Sequence, residues 1–255
     1  MTRNLGVALQ SLRSRGLSEL LWADALCINQ NDLAERSQQV QVMQTAYQSA
    51  CVVFAWLGEA AGDSNFLMHV IETTGKGGSD PELDSQVGRQ VPTSEGDPNH
   101  FDLRSREALS KLMARPYWER VWITQELATA GPKAISIGCG QFWLSWWYLF
   151  DIVLRPFRRE GVVLLTTNFH RHFIASANIM FDFQESPLEL LELLERSKAF
   201  SVTDPHDRLY AILGLAKEHH RIALAPDYSK QLSAELVKAS DRNWGESGSP
   251  TCLPH

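Results

Sequence analysis

The sequence predicts an α/β fold: a short parallel sheet flanked by helices, with an α-helical C-terminal portion. Two observations lead there. Short apolar or β-branched runs near 20–25, 51–57 and 134–138 alternate with segments of helical period, and such alternation favours a parallel sheet. After Ser186 the apolar spacing is helical only. The composition agrees with a packed interior: 44% of the 255 residues are hydrophobic and 21% are charged, as in globular chains and unlike disordered ones. The organisation expected is an α/β domain over 1–214 carrying a flexible insertion at 75–100. A helical extension and loose tail follow over 215–255.

The elements follow from local pattern. Leu5, Leu9 and Leu12 share one helical face, so 3–14 is a helix ended by Gly16. Leu20 to Ala25 suits a buried strand. Asp32 with Glu35 three residues later makes a capping-box start, and Val40, Met43 and Tyr47 mark the inward face of a helix to residue 50. Cys51 to Leu57 is β-branched and aromatic, a strand stopped by Gly58. Asp63 is placed to cap a helix carrying Leu67, Val70 and Ile71. The stretch 75–100 is rich in Gly and Pro without apolar periodicity, hence the insertion. Residues 103–114 read as a helix that Pro116 cannot continue, and Glu119 to Ala130 as another, ended by Gly131-Pro132. A strand at 134–138 and an aromatic-rich helix at Trp146–Leu154 come next. Ser186-Pro187-x-Glu189 has the composition of a helix start. Asp204-Pro205 opens a short helix closed by Gly214, and Ser233–Trp244 is a last helix.

Charge and motif content exclude several functions. The net charge is −6 and no basic run occurs, so a phosphate-tracking nucleic-acid binder is not expected. The most apolar stretch, 142–154, is broken by Ser145 and Asp151 and is shorter than the roughly 20 residues a membrane span needs. Met1 to Ser11 has no apolar core of a signal peptide, so a soluble cytoplasmic protein is expected. The four cysteines include no CxxC pair, which argues against a disulfide scaffold. Nucleotide-binding glycine loops, GxSxG and HExxH are absent, and no cofactor is expected. His219 and His220 are neighbours; on a helix i and i+1 point apart, so they read as surface histidines and no metal site is expected.

Three segments concentrate polar groups beside aromatics. In the first, Trp22 to Gln30, the side chains Asp24, Cys27, Asn29 and Gln30 sit at the end of the expected strand, the edge where open α/β sheets bind ligands. Satisfaction of turn backbone by Asp24 and Asn29 is the competing reading. In the second, Arg115 to Glu126, the charged Arg115, Arg120 and Glu126 lie among Trp118, Trp122 and Gln125. A helix there would put Trp118, Trp122 and Glu126 on one face. A desolvated Glu126 could serve as an acid–base group; a buried structural pair with an arginine is the reading physics alone favours. The third, Thr203 to Tyr210, has the character of a helix cap, with Asp204, Pro205 and Asp207 in the first turn.

In this order the segments resemble the heterokaryon incompatibility (HET) domain of filamentous fungi. The resemblance rests on Trp22 to Gln30, Glu35-Arg36, Gln39 to Met43, Trp56-Leu57-Gly58, Arg115 to Glu126, Asp204 to Gly214 and Asp227-Tyr228-Ser229. It implies a role in fungal non-self recognition with regulated cell death as output, through protein partners that can include a second copy. The family is similar to Toll/interleukin-1 receptor (TIR) domains, some of which cleave NAD through a glutamate. By that analogy NAD is the candidate substrate, Glu126 or Glu35 the catalytic acid, and Asp24, Asn29 and Arg120 shape the site. A truncated, interaction-only protein without activity is the further alternative. The family usually opens with a Tyr-x-Ala-Leu-Ser-Tyr-x-Trp-Gly strand, normally internal to the sheet; this chain begins at Met1-Thr-Arg-Asn-Leu, after that strand, and exposed sheet backbone groups and apolar surface are expected.

Overall fold

A computed structural model describes residues 2–17, 20–75, 103–150 and 171–231. Over these residues the fold is mostly helical with one small mixed sheet, and the chain divides into two compact units, neither a continuous segment. The insertion expected at 75–100, from residue 76 onward, the end of the 146–154 helix and the 233–244 helix lie outside the described residues.

The first unit comprises 1–20, 50–119 and 130–175. Its helix α1 (Arg3–Ser14) is capped by Thr2, whose hydroxyl accepts from the Leu5 amide. The sheet consists of β1 (Val53–Trp56), β2 (Ile135–Cys139) and β3 (Phe142–Ser145), in the order β1-β2-β3. β1 and β2 are parallel, with Val53 opposite Ile135, as expected from the two apolar runs. β3 returns antiparallel from β2 through the Gly140-Gln141 turn. The sequence reading missed it because Phe-Trp-Leu-Ser merges with the aromatic helical residues 146–150 that follow. The expected strand at 20–25 does not form; Asp24–Cys27 is a single helical turn instead. Leu20, Leu21 and Trp22 are exposed, so the apolar run that suggested a buried strand has no sheet neighbour to cover it.

Helix α1 lays Ala8 and Leu12 against Trp56 and Trp143, with Phe54 and Leu17 at the margin. Both indole N–H groups are satisfied by the helix, Trp56 donating to Asn4 Oδ1 (3.1 Å) and Trp143 to Ser11 Oγ (3.0 Å). Gly138 stands opposite Trp143 in the β2–β3 register, and a Cβ there would come 2.5 Å from the indole ring. Glycine is what lets the ring lie across the sheet. Helix α4 (Ser64–Gly75) packs on β2 and β3 and on α5 (Leu103–Met113), burying Leu67, Met68 and Ile71 completely. Asp63 does not cap α4 with its carboxylate. It binds Arg104 through two hydrogen bonds (3.1 and 3.2 Å). A second aromatic cluster joins Trp118 to Phe173 (5.0 Å, edge to face) and Trp146 to Phe173 (4.8 Å, stacked).

The second unit comprises 21–49, 120–129 and 176–255. It is helical: α2 (Asp24–Cys27), α3 (Leu33–Ser49), α6 (Ile123–Ala130), most of α7 (Arg171–Glu185), α8 (Leu190–Ser197), α9 (Asp207–Leu213) and α10 (Glu218–Ala223). Helix α7 escaped the sequence reading, although Phe173, Ala177 and Met180 recur at i, i+4 and i+7 and are all buried. Pro187 does not start α8. The segment before it is held extended by a parallel bridge between Leu188 and Ala216, and the helix begins three residues later than the cap signal implied. α8 packs on α9, which buries Leu209, Tyr210, Ala211 and Ile212. Gly214 closes α9 as expected. A Cβ on it would meet Gln125 Nε2 at 2.5 Å and Gln44 Cβ at 3.2 Å, so here too glycine permits a close approach.

Candidate functional site

A cleft of about 260 Å³ opens in the second unit. Its wall takes Asp24, Ile28 and Gln30 from the first motif segment, Arg36, Val40 and Met43 from α3, and Arg120, Val121 and Trp122 from the second segment. Thr203 and Asp207 come from the third, Val202 from just before it, and Tyr228 from the later Asp-Tyr-Ser. Motifs scattered over two hundred residues of sequence therefore line one cavity.

The local fold explains how. Asp32 accepts from the Ala34 and Glu35 amides (3.0 and 3.1 Å), and Glu35 Oε1 reaches back to the Asn29 amide (2.9 Å). Asp32 thus caps α3, while Glu35 reaches past the cap amide of an ordinary capping box to Asn29 and folds the 24–31 loop onto the helix N-terminus. Gln30 Nε2 donates to the Asp24 carbonyl (3.3 Å) and Asn29 Oδ1 accepts from the Asn31 amide (3.2 Å), tightening the same loop. A parallel bridge between Arg120 and Ser201, with Val121 N–H on the Ser201 carbonyl (3.1 Å), sets the second segment beside the third.

The base of the cleft is an ion-paired network around Arg36. The guanidinium donates to Asp204 Oδ2 (2.9 Å) and Asp207 Oδ1 (3.0 Å), and lies 3.6 Å over the Tyr228 ring. Tyr228 O–H donates to the same Asp207 oxygen (2.7 Å), and its amide is held by Ser37 Oγ (3.1 Å). Asp204 Oδ1 accepts from the His206 amide (3.0 Å) and faces His206 Nδ1 at 2.8 Å. Burial works against the Arg36 charge, yet Tyr228, Asp207 and Asp204 outweigh it and hold the guanidinium above its ordinary pKa. Burial, and then the charge and hydrogen bond of Asp207, push the Tyr228 phenol far above its usual range, so it remains a protonated donor. Asp204 sits below the usual carboxylate range: burial pushes it up, but the hydrogen bonds from His206 and the charge of Arg36 more than offset this. Behind the network, Tyr210 O–H donates to the Asp227 carbonyl (3.0 Å) and accepts from the Asp227 amide (2.9 Å).

The residues singled out from sequence divide into three groups. Asp24, Gln30, Arg120 and Trp122 line the cleft. Asn29, Cys27 and Glu35 do not line it; Cys27 is exposed, while Asn29 and Glu35 shape the loop. Glu126 does not line it either. Its side chain is 12% exposed and lies 3.8 Å from Arg120, which is half exposed. Gln125 is buried beside Gly214, its Oε1 without a hydrogen-bond partner among the described residues. Arg115 belongs to the first unit, where it donates to the carbonyls of Leu57 (2.9 Å), Glu59 (2.9 Å) and Ala61 (3.4 Å) and so clasps the loop after β1. The common face expected for Trp118, Trp122 and Glu126 does not exist. Trp118 is in a 3-10 turn (Pro116–Glu119) and α6 starts only at Ile123.

The sequence reading ranked Arg36, Asp207 and Tyr228 too low. The signal was present, since an arginine and two aspartates in motif blocks need partners if buried, but Asp204 and Asp207 were explained by helix capping alone. Asp204 Oδ1 does take the His206 amide at the start of α9, but Asp204 Oδ2 and Asp207 Oδ1 both take the Arg36 guanidinium. The arrangement offers chemistry suited to holding a small polar ligand: a carboxylate at Asp24 outside the Arg36 network, a half-exposed cation at Arg120, an amide at Gln30 and an aromatic wall at Trp122.

Among the described residues no helix is long and apolar enough to cross a membrane. Residues 1–126 match the family model described as heterokaryon incompatibility protein (HET). The chain is 26% identical to heterokaryon incompatibility protein 6, OR allele, of Neurospora crassa over 283 aligned positions, covering 93% of this chain and 41% of that relative. It thus spans less than half the length of the curated relative it matches. No solved structure matches the chain. The matched stretch, residues 1–126, carries the first two cleft-forming segments, and that part of the chain is a HET domain.

Proposed function

We propose that the chain serves fungal non-self recognition as a module whose output is regulated cell death, acting in the cytoplasm through protein partners that include a second copy. In this reading the cleft of the second unit is where the module engages its ligand. One observation carries it: the motif blocks that define the resemblance contribute side chains to a single cavity around Arg36. A network that fixes charged groups at a cavity floor is costly to build for stability alone, which supports a recognition role. The test is inducible expression of the full chain in a filamentous fungus, scored by uptake of a vital dye. Death on induction, at an abundance where an unrelated protein of similar size leaves cells viable, is the expected result. Viable cells at that abundance overturn the reading.

NAD cleavage by a TIR-like mechanism is the second reading. Asp24 favours it, because this cleft carboxylate is not engaged by Arg36; its Oδ1 accepts only the neighbouring Ala25 amide (2.7 Å) in the described structure. A glycosidic cleavage needs a carboxylate near the reacting carbon. The cavity lies just below the range of about 300–1,000 Å³ usual for small-ligand pockets, enough for a sugar and one ring rather than a whole dinucleotide. Purified protein that consumes NAD, with the loss removed by Asp24→Asn or Glu126→Gln, would establish this reading. A folded sample that leaves NAD intact would sink it and leave the binding role.

A further inference from the structure

Away from the cleft, the second unit brings together Glu189, His219 and His220, whose ligand atoms all lie within 4.8 Å of one another. We propose that these three side chains bind one divalent transition-metal ion of the zinc class. The two histidines are neighbours in α10, and the sequence expectation was that their rings point apart. Instead the ring centroids are 3.9 Å apart. His220 is 1% exposed, and its Nε2 is 3.3 Å from Glu189 Oε2. His219 is exposed beside it.

Three features make this a built site. First, the segments bearing the ligands are pinned by backbone and not by the ligands themselves. Leu188 N–H donates to the Leu215 carbonyl (3.0 Å), and Lys217 N–H donates to the Leu188 carbonyl (3.0 Å). Glu189 is therefore held beside the start of α10, where His219 and His220 lie, across about thirty positions of sequence. Second, the carboxylate is divided. Lys217 Nζ takes Glu189 Oε1, which leaves Oε2 turned to His220. An outer cation orienting one carboxylate oxygen while the other meets the metal is a familiar outer-shell arrangement. Third, the spacing suits the ion. Zinc bonds of about 2.0–2.2 Å in tetrahedral geometry separate ligand atoms by roughly 3.3–3.5 Å. The Glu189–His220 pair already has this separation, and only the exposed His219 ring needs to swing inward.

The donor set fixes the class of ion. Two imidazole nitrogens and one carboxylate oxygen suit zinc and its neighbours, whereas magnesium and calcium prefer oxygen alone. Three protein ligands leave a fourth position for water or a partner side chain. Bound metal would fasten the Leu188 segment to α10.

The test is calorimetric titration of the metal-stripped full chain with zinc chloride, in a background where Cys27, Cys51 and Cys252 are serine so that thiols do not compete. One ion per chain is expected, undisturbed by excess magnesium. Cobalt in its place should give the visible absorption of a tetrahedral site. His219→Ala alters an exposed side chain and should leave the circular dichroism spectrum unchanged while weakening zinc at least tenfold. Glu189→Gln should weaken it similarly, since loss of an outer-shell partner alone costs about 10–100-fold. No stoichiometric zinc binding, or equal affinity in both variants and the parent, overturns the proposal and leaves Glu189, Lys217 and His220 as a plain ion-paired brace.

Discussion

Replacing Arg36 by methionine keeps an unbranched apolar stem and removes the guanidinium and its charge. The substitution deletes two hydrogen bonds to Asp204 and Asp207 (2.9 and 3.0 Å) and the stacking on Tyr228. Asp207, with a side chain 9% exposed, keeps only the Tyr228 hydroxyl among the bonds named above; Asp204, 27% exposed, keeps His206. Removing one partner of a buried pair costs about 3–5 kcal/mol. The partial exposure of Asp204 and of Arg36 itself argues for the lower end, about 3 kcal/mol. At roughly 2–4 °C per kcal/mol for a chain of this size, the midpoint of thermal unfolding falls by about 6–12 °C. Circular dichroism melts of the parent, Arg36→Met, Asp207→Asn and the double variant form the assay. The double variant should lose less than the sum of the singles, with a coupling between 0.5 and about 3 kcal/mol, because the second change no longer strands a charge. A shift under about 2 °C for Arg36→Met, or strictly additive losses, would refute the buried-network argument.

Other consequences are equally open to measurement. Gly214→Ala forces a Cβ to 2.5 Å from Gln125 Nε2; overpacking of this kind costs about 1–3 kcal/mol, and denaturant midpoints report it. Trp118→Ala empties the centre of the aromatic cluster with Trp146 and Phe173, a loss of about 3–5 kcal/mol readable in the same titrations. Asp204 has a folded pKa below its unfolded value of about 3.9. Its contribution is therefore present above that pH and is lost as pH falls through the lower folded value. Acid titration of stability should show this loss in the parent and a smaller one in Asp204→Asn. Arg120→Ala, at a half-exposed side chain, should change stability by under about 1 kcal/mol and so is a clean probe of cleft function.

Most helices and the parallel β1–β2 pair were legible because each carries its own signal. Leu5, Leu9 and Leu12 repeat at helical spacing, and the Asp32–Glu35 box marks the start of α3. What failed depends on neighbours distant in sequence. Leu20 to Ala25 has the composition of a strand, but no strand pairs with it among the described residues and Asp24 starts a helical turn. β3 is only four residues long and is defined by its register with β2. At the site, sequence named Asp24, Gln30, Arg120 and Trp122 because they cluster in motif blocks. It assigned Arg115 to the same place because arginines near tryptophans look alike, whereas the Arg115 guanidinium donates to backbone carbonyls of the loop after β1. The convergence of His219 and His220 contradicts a rule of helix geometry that holds for mid-helix side chains, and the backbone bridge at Leu188 that puts Glu189 beside them has no local sequence signature.

The most direct trial of the central claim compares the parent chain with an Asp24→Ala, Arg120→Ala double variant in the fungal expression assay, at matched protein abundance and with matched thermal unfolding. Both positions line the cleft, and neither belongs to the Arg36 network. The account predicts that the parent kills and the folded double variant does not. Equal killing by both would contradict a functional role for the cleft.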